Sequence, residues 1–244
     1  IYHFYLSLLF IMAISLIGAR KKQPFSHCIG ASNVAKYAAG EFSCAAALQA
    51  SYKYKSPKEF NNYDWYPAHA RAVELAVEYL NDHFSDLNFF ENETLKLKQK
   101  IGDAVLFGVP DVVAVKEGKL YLFDGKAGQK REFHKFQISL YGLLAISKNI
   151  AQEIGGLYLG YFDPEIDNDN FEVVEVGATK EAKEIWSTDI KKRLVMLSKT
   201  LVSKQTAPTN PSSDNCRFCP WNQRCSVAIN PEEELVDIFA NLGV

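Results

Sequence analysis

Two aspartates, Asp111 and Asp124, lie thirteen positions apart and flank what reads as a β-hairpin, and this pairing constrains the chain more than any other feature. Val112-Val113-Ala114-Val115 and Leu120-Tyr121-Leu122-Phe123 are strand-forming runs, and Glu117-Gly118 between them is a two-residue turn, weaker than Asn-Gly or Asp-Gly. With Glu117-Gly118 as the loop, Lys116 faces Lys119, and counting outward sets Asp111 directly opposite Asp124. Residues opposed in this way have Cβ atoms roughly 4.5–5.5 Å apart, where like charges are destabilising. Lys126, two residues past Asp124, points to the same face of its strand. Two acids and a lysine converging there are costly to hold together unless a cation joins them.

The chain of 244 residues has room for one substantial α/β domain, or one domain with a small appendage. Its formal net charge of −2 gives no global basic signature, so nucleic-acid contact would have to come from local patches. One such patch follows the acidic pair: Lys126, Lys130, Arg131, His134 and Lys135. Lys96, Lys98 and Lys100 alternate along an expected strand and read more simply as a solvated face. Five cysteines, an odd number, argue against a secreted disulfide framework. Three of them, Cys216, Cys219 and Cys225, fall close together, which suits a metal or cluster site in a reducing compartment.

Residues 1–19 carry no fixed charge and are followed by Arg20-Lys21-Lys22. That length is near the lower limit for a membrane-spanning helix, and the basic flank follows the apolar run instead of preceding it as in a secretory signal. The expectation is a membrane anchor over 1–22 with the rest of the chain in the cytoplasm. The main α/β core would occupy 23–206 and a cysteine-rich segment 207–244, which opens with a Pro/Ser/Asn linker over 207–215.

Helices are expected over 31–54, 68–84, 132–148 and 180–204, with strands near 94–101, 105–115, 120–124, 156–162 and 171–176. The order implies a mixed α/β core of sheet flanked by helices. On the helix after Lys126, the residues Lys130, His134, Gln137 and Tyr141 are spaced to form one polar line. Gln and Tyr can bond phosphate or sugar oxygens, and Tyr can stack on a base; the plainer reading is a wet helix face. Acids that need a cation, beside a lysine and such a line, have the chemistry of metal-dependent phosphodiester hydrolysis.

Taken together, Gly108-Val109-Pro110-Asp111, Asp124-Gly125-Lys126 and Gln137-x3-Tyr141 resemble the PD-(D/E)XK nucleases, most closely the RecB-type branch, over roughly 32–225. The resemblance implies a restriction-endonuclease-like core in which Asp111, Asp124 and the Gly125 carbonyl bind Mg²⁺ or Mn²⁺. It implies that Lys126 positions the attacking water and holds charge on the phosphate. Gln137 and Tyr141, with Lys130, Arg131 and His134, would contact nucleic acid. An upstream helical histidine is a further metal ligand in that branch, and His69 is the matching position, although Trp65 replaces a glycine often found four residues earlier. His83, at the far end of the same helix, reads as a surface or capping residue.

The run Cys216-x2-Cys219-x5-Cys225 resembles the iron–sulfur members of this branch, the CRISPR-associated Cas-four exonucleases and the AddB-like helicase-nucleases. It implies a 4Fe–4S cluster whose fourth ligand comes from the first helix, with Phe218 and Trp221 shielding it. At the usual place, after Tyr37-Ala38-Ala39, this chain has Gly40, which cannot ligate. Cys44, one helical turn further on, is the candidate and Cys28 the fallback. A three-cysteine cluster, zinc or no metal are the alternatives. No Walker-type motif for a fused helicase occurs. The implied activity is a DNA exonuclease acting on single strands or ends, partnered with CRISPR-adaptation or repair proteins. The alternative is a non-catalytic nucleic-acid-binding iron–sulfur or zinc module, but that would be expected to have lost one of the acids or the lysine.

Overall fold

Glu117 and Gly118 take φ values of 51° and 76°, both positive, as the two central residues of a type I′ hairpin turn require. The pairing is the one the sequence dictates, from Lys116 opposite Lys119 out to Val112 opposite Phe123. This hairpin is the centre of a computed structural model that describes residues 28–54, 66–84, 87–89, 95–162, 171–212, 215–216, 219, 221 and 225–228. In chain order the elements are β1 (Ile29–Gly30), α1 (Ala31–Ala39), α2 (Ala45–Lys53), α3 (Tyr66–His83), β2 (Asn88–Phe89), β3 (Leu97–Ile101) and β4 (Ala104–Gly108). They continue with β5 (Val112–Lys116), β6 (Lys119–Ala127), α4 (Glu132–Ser147), β7 (Glu153–Phe162), β8 (Phe171–Gly177), α5 (Thr179–Ile185) and α6 (Thr188–Val202).

Two mixed sheets result. The larger has the order β2-β5-β6-β7-β8, with β6 and β7 parallel and joined through α4; the smaller has the order β1-β4-β3. Side chains of β6 alternate between two helical layers. Phe123 packs on Val73, Ala76 and Leu80 of α3, whereas Leu120 and Leu122 join Ile138, Leu144 and Ala145 of α4 in the main core. Against α3 the approach is close: a Cβ built on Gly125 would lie 3.2 Å from Ala72 and Val73 atoms. Small residues at Ala72 and Gly125 therefore set the distance between that helix and the central strand.

Three expected elements are divided. The single helix over 31–54 ends at Gly40, whose left-handed φ of 80° lets its N–H return to the carbonyls of Lys36 and Tyr37. A new helix starts after Cys44, so Cys44 is not on a continuous helical face with Gly40. The helix over 180–204 is α5 and α6, broken at Trp186, whose indole N–H donates to the Phe136 carbonyl at 3.0 Å. The strand over 105–115 is β4 and β5, in different sheets, because Val109-Pro110-Asp111 turns between them and Pro110 has no N–H for a ladder. The Lys-rich strand is β3, an edge of the small sheet with Lys96, Lys98 and Lys100 exposed, a common protection of sheet edges. His83 closes α3, with Nδ1 2.9 Å from the Tyr79 carbonyl and its ring stacked on Tyr79.

The expected linker over 207–215 is instead a hydrogen-bonded latch. Buried Gln49 donates from Nε2 to the carbonyls of Thr200, Ser203 and Gln205 and accepts the Ala207 N–H at 3.0 Å. Buried Asn215 accepts the Ser43 N–H at 3.1 Å and donates to the Asn210 carbonyl. The indole of Trp221 donates to Ser51 Oγ at 3.0 Å. These contacts bring the returning chain to the start of α2. Among the described residues no helix is long and apolar enough to cross a membrane; the expected anchor over 1–22 and Phe218 lie outside them.

Gln49→Ala strips the partner from the buried Ala207 N–H, costly to leave unsatisfied, and from three partly buried carbonyls. The expected loss is about 2 kcal/mol of unfolding free energy, read as a lower urea midpoint with an unchanged slope.

Candidate active site

Asp111 occupies the bend that carries the chain from the small sheet into β5, and Asp124 lies on β6 across from it. Both are 2% exposed. Two ionised carboxylates at such depth require donors or cations. Asp111 Oδ2 accepts the Gly125 N–H at 3.0 Å, a buried bond. Its Oδ1 lies 3.7 Å from His69 Nε2. That histidine shares the face of α3 that carries Val73, Ala76 and Leu80 and packs on the sheet, so the close contact at Gly125 also carries His69 to the acid.

Lys126 completes the arrangement on the α4 side. Its ammonium pairs with Asp124 Oδ2 and donates to Gln137 Oε1 at 3.2 Å. The other end of the same amide donates to the Tyr141 hydroxyl at 2.9 Å. Gln137 and Tyr141 are 8% and 4% exposed, so this line on α4 is not a wet face. It is a buried polar chain running from Asp124 through Lys126 and Gln137 to Tyr141. Gly108 admits the Tyr141 ring, since a Cβ there would lie 2.4 Å from Cε1.

Sequence reasoning missed Tyr161. It lies on β7 directly beside Lys126 in the parallel register, and its hydroxyl is 3.2 Å from His134 Nδ1. Burial, then the charges of Asp124, Glu132 and Glu172, push its phenol up to about 12, so the hydroxyl keeps its proton. His134 is pushed down to about 3 by burial first and then by Lys126, with Asp124 opposing and Arg131 and Lys36 adding. Alternation along the strand places Tyr161 on a known face, but only the parallel register with β6 brings it beside Lys126.

The expected basic patch does not form as a unit. His134 is buried and neutral near pH 7, Lys130 pairs with Glu172, and Arg131 Nε donates to Glu41 at 3.0 Å. Lys135 pairs with Glu132 on the exposed side of α4.

Among the described residues, no group of three or more His, Cys, Asp and Glu side chains is placed to hold a metal ion. The acid pair nevertheless fits a hard divalent cation. Asp124 Oδ2 is buried and accepts no hydrogen bond of regular geometry. Mg²⁺ characteristically uses one or two carboxylates and fills its remaining positions with water and substrate phosphate. The cysteines differ. The Cys219 thiol is raised by burial, and Cys44, Cys216 and Cys225 lie close enough to raise it further. Cys28 stands apart, near Lys98 and Tyr52. Four thiols therefore share one neighbourhood without forming a ligand cage.

Two buried acids across one hairpin, with a lysine two residues past the second, suit a hard cation held beside a phosphate. The chain belongs to the PD-(D/E)XK nuclease superfamily, whose family pattern matches residues 31–226. A solved structure titled "Crystal structure of SSO0001" covers 92% of this chain and 98% of its own, with a TM-score of 0.52 and 14% identity. At that identity the likeness is one of fold. Comparison with curated proteins gives no match.

His134 titrates near 6.5 when unfolded and at about 3 when folded. Between those values the unfolded chain binds a proton that the folded chain does not, so stability falls as pH drops through this window. Wild type is expected to lose on the order of 1 kcal/mol more than His134→Gln between about pH 7 and pH 5, read from urea midpoints at both values.

Proposed function

We propose that this protein is a metal-dependent DNA exonuclease acting on single strands or strand ends, of the RecB-type branch and similar to the Cas-four iron–sulfur enzymes. The observation that carries the proposal is the buried chain Asp124–Lys126–Gln137–Tyr141, with Asp111 across the hairpin. A purely structural site would gain nothing from two opposed carboxylates at this depth.

In this reading Asp111, Asp124 and the Gly125 carbonyl hold Mg²⁺ or Mn²⁺, with His69 beside Asp111. When bound, the metal lowers the pKa of water and offsets negative charge developing on the phosphate. The chain's own groups perform the rest. Lys126, steadied by the Gln137 amide, presents its ammonium to a phosphate oxygen and to the attacking water. Gln137 itself is held in one orientation by the Tyr141 hydroxyl. The Gly125 N–H fixes the rotamer of Asp111, so the acids converge before substrate arrives.

Cys44, Cys216, Cys219 and Cys225 are proposed to hold a 4Fe–4S cluster of structural role. Support comes from the grouping of the other three thiols around Cys219 and from the hydrogen bonds that hold Ala207, Asn215 and Trp221 against α2 and the residues just before it. The cluster would then strengthen a closure the hydrogen bonds already make.

Asp111→Ala and Lys126→Ala are each expected to reduce Mg²⁺- or Mn²⁺-dependent cleavage of end-labelled single strands by at least about a thousandfold, with melting temperature largely kept. Cleavage at the wild-type rate by Asp111→Ala would sink the catalytic reading. For the cysteines, protein purified without oxygen should carry iron and acid-labile sulfide with a broad visible absorption. Cys219→Ser should abolish that absorption, and stoichiometric zinc in place of iron would overturn the cluster.

A further inference from the structure

Lys36, on α1, is half-buried, and no carboxylate among the described residues forms an ion pair with it. Its Nζ sits 5.0 Å from the centroid of the Phe133 ring, and the Arg131 guanidinium carbon lies 5.9 Å from the same centroid. Burial, then the positive charge of Arg131, hold the Lys36 ammonium below its usual range; Glu41 opposes and Lys126 adds to the depression. His134 feels the same three cations. Lys36 and Arg131 thus stand over one ring in the first turn of the 16-residue helix α4, within the field of Lys126.

The carboxylates within reach are already engaged. Glu41 accepts the Phe133 N–H through one oxygen and Arg131 Nε through the other, each at 3.0 Å. Asp124 pairs with Lys126. A lysine that merely covers an aromatic ring would carry its head outward to water. Here the ammonium stands over the ring, partly desolvated, within the field of two like charges and near the positive end of a helix. Attraction to the ring is small compensation, and Glu41 is already shared between Arg131 and the Phe133 N–H, so Lys36 is left to an anion from outside the chain.

We infer that Lys36 and Arg131, on either side of the Glu41 carboxylate, form a phosphodiester-binding subsite beside the acid pair, taking a backbone phosphate of the strand next to the one that reacts. The ligand's identity rests on the nuclease reading above; the existence of the anion site does not. Lys126 belongs to both clusters, so a strand seated on Lys36 and Arg131 would present its neighbouring phosphate to the metal-binding acids. Nonspecific phosphate contact carries no sequence information, which suits an enzyme that degrades strands irrespective of sequence.

The test uses the full chain with EDTA present, so that binding of a fluorescein-labelled single-stranded oligonucleotide is read by anisotropy without cleavage. Across a salt series, Lys36→Ala is expected to weaken binding about fivefold to tenfold and to reduce the salt slope by about 0.7, the value for one phosphate contact on a single strand. Lys36→Arg should keep most of the affinity, and melting temperatures of both variants should match wild type. A second arm measures stabilisation by inorganic pyrophosphate, expected for wild type and lost in Lys36→Ala. Unchanged affinity and salt slope in Lys36→Ala overturn the inference. Should wild type fail to bind the oligonucleotide, the nuclease reading falls. The pyrophosphate arm then decides the subsite by itself: stabilisation lost in Lys36→Ala sustains it, and no stabilisation of wild type ends it.

Discussion

Everything about the site follows from placing two carboxylates across a tight hairpin and then burying them. A desolvated carboxylate is expensive, and a second one opposite raises that cost unless donors and cations face both. The neighbouring elements are arranged around this need. The Gly125 N–H turns to Asp111, His69 comes down to the same acid, and Lys126 closes on Asp124. Asp124 Oδ2 is buried and its charge is met by the Lys126 ammonium, so the lysine and the acid hold each other in place.

The sandwich geometry allows opposite sides of one strand to serve this purpose. β6 sends Asp124 and Lys126 toward α4 and sends Phe123 and Gly125 toward α3. On the α4 side the helix is buried over much of its circumference, so Gln137 and Tyr141 spend their polar atoms on each other and on Lys126. On the α3 side the absence of a side chain at Gly125 brings Ala72 close, and His69 lies one turn before it. Asp111 is served by His69 from the α3 layer, and Asp124 by Lys126, itself held by Gln137 from the α4 layer, so neither layer could shift without uncovering a charge.

The sequence made the hairpin legible to the residue, because turn length and strand alternation are local properties. The same logic located Asp111, Asp124 and Lys126, and the spacing of Gln137 and Tyr141 identified their common face on α4. What local pattern cannot convey is burial. Gln137, Tyr141 and His134 read as a polar stripe, and only the packing of α1, β7 and α5 on α4 makes that stripe interior. Lys130 and Arg131 read as a basic patch, yet their carboxylate partners, Glu172 and Glu41, come from distant positions. Gly40 was legible as a non-ligand but not as the end of a helix, since the Ala- and Leu-rich residues on either side both favour helix. Residues 207–215 have the composition of a linker, and the buried amides of Gln49 and Asn215 anchor it at Ala207 and Asn215.

One short segment joins the two regions that bear chemistry. Lys36 and Glu41 meet Phe133 and Arg131 at the entrance to α4, while Ser43 and Gln49, a few residues on, hold the returning chain at Asn215 and Ala207. Cys44 sits between the two sets. Rigid coupling through hydrogen bonds to buried backbone groups is strong in this setting, because freeing any one of them exposes an unsatisfied donor or acceptor. Whatever fixes the cysteine region therefore fixes the residues bordering the acid pair. The segment from Lys36 to Gln49 is thus the stretch through which the start of α4 and the returning chain are held to each other.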